Sequence, residues 1–103
     1  MKIEFLDSFV VKLNQQVSYI AADKPKAARK FKNDLLQKVK LISDHPYQYR
    51  KSIYFENEKI RDLVFKGYTI VYRVDEQKQI ISVFALIKHE EGLLGNPQKS
   101  TLV

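Results

Sequence analysis

Gly67-Tyr68-Thr69-Ile70-Val71-Tyr72-Arg73-Val74 alternates in the manner of a strand. Tyr68, Ile70, Tyr72 and Val74 share one face of an extended chain, and Thr69, Val71 and Arg73 share the other. The Lys66-Gly67 pair in front of it favours a tight turn, and Ile60–Phe65 before that is rich in β-branched and aromatic residues. The spacing therefore predicts a β-hairpin. On the far side, Asp75–Lys78 is a polar turn, and Ile80–Ile87 is apolar on both faces, as expected of a strand covered on both sides or central in a sheet. Further upstream, Ser52–Phe55 has strand composition and Asn57-Glu58 marks a turn.

The period changes nearer the N-terminus. Lys2–Leu6 alternates, then Leu6, Phe9, Val10, Leu13, Val17, Ile20 and Ala21 fall at helical spacings of three and four. A second apolar stripe follows on Ala27, Ala28, Phe31, Leu35, Val39 and Ile42. Asp23 ahead of Lys24-Pro25 reads as a helix start, with the carboxylate as cap and proline in the first turn. Pro46 disfavours helix at His45, which places the end near Ser43–His45. The link from Ala21 to Lys24 is short, so the two helices should form an antiparallel hairpin. The expected order is β-α-α-β-β-β(-β), an α+β two-layer domain with the helical hairpin packed on a curved, mainly antiparallel sheet.

At 103 residues with 45% apolar content, one domain over 1–103 with one core is expected. Its compact part should span 2–90, and 91–103, with Gly92, Gly95 and Asn96-Pro97, should be loosely held. There is no cysteine, which excludes a disulfide framework, a thiolate metal site and a cysteine nucleophile. No stretch approaches the length of a membrane span or a signal-peptide core, so a cytoplasmic location without membrane contact is expected. The net charge of +6 is concentrated: Lys24, Lys26, Arg29, Lys30, Lys32, Lys38 and Lys40 stand against Asp34 alone within residues 24–40, while the rest is balanced. That segment is either a solvated helix face or the source of a positive field toward an anionic partner.

Several of these motifs together resemble the RelE/ParE superfamily of bacterial type II toxins. Tyr68–Val74 is similar to the family's "Y-x-(I/L)-V-Y-R-V" strand, preceded by an arginine strand, Ile60-Arg61-Asp62-Leu63, and followed by an apolar strand ending in Lys88-His89. Tyr19-Ile20-Ala21 with Pro25, Ala27-Ala28 and Phe31 resembles "Y-I-A … P-x-A-A-x-x-F", and Leu41 with Pro46 resembles "L … P". The resemblance implies a growth-inhibiting toxin neutralised by a cognate acidic antitoxin, with operator DNA bound only through that antitoxin. It also implies one of two targets: DNA gyrase in the ParE-like branch, or mRNA on the ribosome in the RelE-like nuclease branch. An inactive homologue or a nucleic-acid-binding adaptor is the further alternative. Neither metal nor cofactor is implied.

RNA cleavage through the 2′-hydroxyl needs a proton acceptor, cations for the phosphate and a donor to the leaving oxygen. Arg61, Arg73 and His89 are the candidate catalytic residues if the chain is a nuclease, with Lys88, Tyr68, Tyr72, Glu56 and Glu58 beside them. Where the nuclease branch typically has a catalytic arginine, this sequence has Thr69, which places no permanent charge on a phosphate. Glu90-Glu91 would repel an RNA backbone. Both departures favour the ParE-like branch. Lys26, Arg29, Lys30, Tyr54, Arg61, Arg73 and Lys88 are the candidates for binding antitoxin or target. The alternatives are structural: Arg61 and Arg73 as paired strand arginines, His89 as a strand-end surface residue, His45 as a helix-dipole partner. Tyr47, Tyr49 and Tyr54, interleaved with Arg50 and Lys51, suit either base stacking or the rim of a core.

Overall fold

The two apolar stripes near the N-terminus form helices because each has one face to bury. The computed structural model describes residues 1–90 and 99–101, with the backbone alone for 90 and 99–101. Strand β1 (Lys2–Phe5) leads into α1 (Asp7–Ala21) and α2 (Pro25–Lys40), the latter closed by a 3-10 turn, Leu41–Ser43. Asp7 lies in the first turn of α1 and Lys38 and Lys40 in the last turn of α2, each where its charge complements the helix dipole. The cap of α2 differs from expectation. Lys24, not Asp23, is the N-cap, no side chain bonds to it, and Pro25 opens the helix. Asp23 instead belongs to the interhelical turn, where its own amide donates to Ile20 O.

Four strands follow: β2 (Arg50–Lys51), β3 (Ile60–Phe65), β4 (Tyr68–Asp75) and β5 (Ile80–Glu90), with a short β6 (Lys99–Thr101). The sheet order is β1-β5-β4-β3-β2, and β6 also pairs with β5. Only β1 and β5 run parallel; the remaining pairs are antiparallel. Lys66 and Gly67 both have positive φ, 46° and 81°, which is the backbone of the tight hairpin turn the dipeptide favours. Of the expected tail, 91–98 and 102–103 lie outside the described residues; 99–101 pair with β5.

The short strand expected at Ser52–Phe55 is displaced to Arg50–Lys51. Ser52 N still donates to Ile60 O, but the next two amides leave the ladder, Ile53 N to Asp62 Oδ2 and Tyr54 N to Ser52 Oγ. Side-chain acceptors thus compete successfully with the strand partner, and the chain bends. Tyr54 and Phe55 then pack on the sheet face away from the helices, against a small buried cluster of Val71, Ala85 and Ile87.

The main core lies on the other face. Phe9, Leu13, Phe31, Leu35, Val39 and Ile42 from the helical layer meet Leu63, Ile70, Tyr72, Val74, Ile81, Val83 and Leu86 from the sheet. Each such side chain contributes about 1.5–3 kcal/mol by leaving water. Strand β5 supplies both faces by alternation, and a bulge switches which of its residues face the helices, from Ile81 and Val83 to Leu86. Val71 pairs with Ala85 and Tyr72 with Val83, so Phe84 is an extra residue and joins Ala85 on the outer face.

Candidate functional site

Strand register fixes which side chains meet, because residues directly opposite in a ladder share a face. Arg61 is opposite Tyr72, and Tyr72 belongs to the helix-side core, so Arg61 rises on the helix side. Arg73 is opposite Ile60 and Ser82 on the outer face. His89 also lies on the outer face, where its Nε2 is 2.6 Å from Thr69 Oγ1. Arg61 and His89 are therefore on opposite sides of the sheet. Arg73 shares the outer face with His89 but stands four residues along β4 from Thr69, about 13 Å away at strand spacing. The three candidate catalytic residues do not converge.

Each has a local role. Arg61 Nε donates to Glu58 O at 3.0 Å and a guanidinium nitrogen to Tyr49 O at 3.1 Å, while the group stacks 4.8 Å from the Tyr47 ring centroid. It ties the segment before β2 to β3. Thr69 is wholly buried, so the position where a nuclease would carry arginine is here a neutral hydrogen-bond partner of His89. Arg73 is exposed and makes no ion pair among the described residues. It borders an open depression with Lys59, Asp75, Glu76 and Gln77.

The tyrosines of the central motif are excluded as bases. Tyr68 and Tyr72 are buried, their hydroxyls donate to Gln16 Oε1 and Pro46 O, and burial pushes both phenols above their ordinary range. Glu58 is bound to Lys51 at 3.0 Å, which holds its carboxyl below the usual range. Glu56 is exposed on the segment before β3. Glu90-Glu91 lies outside the described side chains. Among the described residues no group of His, Cys, Asp or Glu is arranged to hold a metal ion.

The binding candidates fall on separate surfaces. Lys26, Arg29 and Lys30 are exposed on α2, with Lys30 bonded to Asp34 at 2.9 Å. Tyr54 is half-buried against the outer cluster. Lys88 emerges on the helix side, its ammonium 5.3 Å from the centroid of the exposed Tyr19 ring. Sequence reasoning missed two features. One is the polar network at the far end of the sheet, where Tyr47 OH donates to Glu76 and Lys59 reaches both; no local signal connects residues so distant in sequence. The other is a groove of about 480 Å3 between β1 and the C-terminal half of α2, lined by Ile3, Phe5, Asn33, Leu36, Gln37 and Lys40. Of its apolar lining, Phe5 remains exposed, which the alternation of Lys2–Leu6 does not reveal.

The family model for the ParE toxin of type II toxin-antitoxin system, parDE, matches residues 3–93. This chain belongs to the ParE toxin family. Among solved structures, "Chromosomal ParDE TA system from P. aeruginosa" is similar with a TM-score of 0.66 at 17% identity, over 81% of this chain and 89% of that one. At that identity the likeness shows the fold alone. No curated protein matches the chain. Family and fold agree with the resemblance carried by the tyrosine–arginine strand.

Proposed function

We propose that this toxin arrests growth by binding DNA gyrase rather than by cutting mRNA, and that a cognate acidic antitoxin neutralises it in the cytoplasm. The observation that carries the choice of target is the opposed placement of Arg61 and His89, with Thr69 buried against His89 on the outer face of the sheet. A protein that acts by occupying a partner needs surface, not a proton relay. The apolar groove lined by Ile3, Phe5 and Leu36, with Lys40 at its margin, supports docking of an amphipathic acidic segment: apolar residues enter the groove and carboxylates meet the lysine. Operator DNA would be contacted through the antitoxin.

The test is the isolated chain in two parallel assays, gyrase supercoiling and mRNA cleavage on programmed ribosomes. Inhibited supercoiling with intact mRNA is the expected result. Cleaved mRNA with normal supercoiling would overturn the reading and require that Arg61, Arg73 or His89 act without convergence.

A further inference from the structure

The positive charge on α2 is organised as well as abundant. At 3.6 residues per turn, Lys26, Arg29, Lys30, Asn33, Gln37 and Lys40 fall within an arc of about 100°. That arc is opposite the buried Ala28, Phe31, Leu35 and Val39. The helix's one acidic residue, Asp34, is drawn toward the β3–β4 turn, where Lys30 and Lys66 hold it at 2.9 and 3.4 Å. These two lysines keep its carboxyl below the usual range. Lys26, Arg29 and Lys40 are left with no ion pair among the described residues.

The geometry points to this face as a binding surface for the phosphate backbone of duplex nucleic acid. From Lys26 to Lys40 it extends about 21 Å, the axial length of about six phosphates on one strand. Asn33 and Gln37 add neutral donors between the cations. The apolar side chains that border the arc, Ile3, Phe5 and Leu36, lie in the groove with Asn33, Gln37 and Lys40, so the end that carries Lys26, Arg29 and Lys30 lacks the apolar anchors on which protein partners depend. A membrane is a poorer fit, because the apolar stripe of α2 is already buried in the core and has nothing to insert. Contacts confined to phosphate position a duplex without reading its bases, so binding is independent of sequence. The surface shares Asn33, Gln37 and Lys40 with the groove beside β1, whereas Lys26 and Arg29 lie outside that lining, and its role does not depend on which target the toxin holds.

The test measures binding of the whole chain to two fluorescent duplexes of unrelated sequence, each about 20 base pairs, between about 50 and 200 mM salt. Three unpaired cations give a log–log slope of about −2.7, a loss of about 40-fold across that range, equal for both duplexes. Lys26→Gln with Arg29→Gln should flatten the slope to about −0.9, a loss of only about 3- to 4-fold. The charge-preserving pair Lys26→Arg with Arg29→Lys should keep the original slope, and all variants should keep the wild-type melting temperature. No binding at the lowest salt would overturn the inference. So would a slope unchanged in the neutral double variant, which would place the contact elsewhere, for example at Lys59, Arg61 and Arg73. Competition by polyglutamate as strong as by duplex would also overturn it, in favour of an acidic protein partner.

Discussion

Replacing Tyr72 by Phe removes one oxygen from the centre of the molecule. Tyr72 is fully buried, and its hydroxyl donates to Pro46 O at 2.5 Å, fastening the stretch between α2 and β2 to the middle of the sheet. Leaving that carbonyl without its donor costs about 1–2 kcal/mol. For a domain of this size that lowers the melting temperature by about 5–15 °C. The pH dependence is a second, independent reading of the same group. Burial raises the phenol's pKa in the fold, so the folded state favours the neutral form, whereas the unfolded chain ionises near the ordinary value of about 10. The stabilisation is complete below that pH and is lost as pH rises through it and beyond. At about pH 11 the unfolded wild type has gained about 1.4 kcal/mol that the Phe variant cannot gain. Urea melts should therefore show wild type ahead at about pH 7, with the two curves meeting near about pH 11. A variant as stable as wild type at neutral pH, or a gap that stays constant into alkali, would refute the reasoning. Tyr68 is present in both proteins and cancels.

Leu35→Ala should cost about 2.5–5 kcal/mol in urea melts, because Leu35 is wholly buried between the helices and the sheet and its removal leaves a cavity. Arg61→Ala should destabilise by about 1–3 kcal/mol through loss of its two carbonyl contacts, whereas the exposed Arg73→Ala should stay within about 0.5 kcal/mol. Any loss of growth arrest in Arg73→Ala at unchanged stability would then report on target contact. Thr69→Val should lower stability by about 1 kcal/mol by stranding the His89 bond, and growth arrest per folded molecule should be unchanged; arrest lost in a stable variant would mean that the buried hydroxyl positions His89 for the target.

Much of the fold was legible because its signals are local. Periods of two and of three to four residues, a Lys-Gly turn and a proline at a helix start each act within a few residues, and together they located both helices and the central hairpin. The displaced strand at Arg50–Lys51 was not legible, since the acceptors that bend the chain are Ser52, two residues before Tyr54, and Asp62, nine residues beyond Ile53. The separation of Arg61 from His89 was latent in the alternation of β3 and β4, but it needed the pairing of Arg61 with Tyr72 to become definite. The groove was not legible, since the alternation of Lys2–Leu6 reads as an ordinary half-buried strand and only the path of α2 beside β1 makes a concavity there.

The bulge in β5 has a consequence for how the chain can change length. Phe84 is the extra residue between two stretches of regular pairing, Val83 with Tyr72 and Ala85 with Val71. Deleting Phe84 would leave both stretches aligned with β4 and every other side chain of β5 on its present face, at the cost of the edge-on contact with Phe55, 5.5 Å between centroids. Deletion within either regular stretch would instead slide one half of the strand past its neighbours and carry apolar side chains to the wrong side. Phe84 is thus the position in this strand where the sequence can shorten by one residue without rewriting the core.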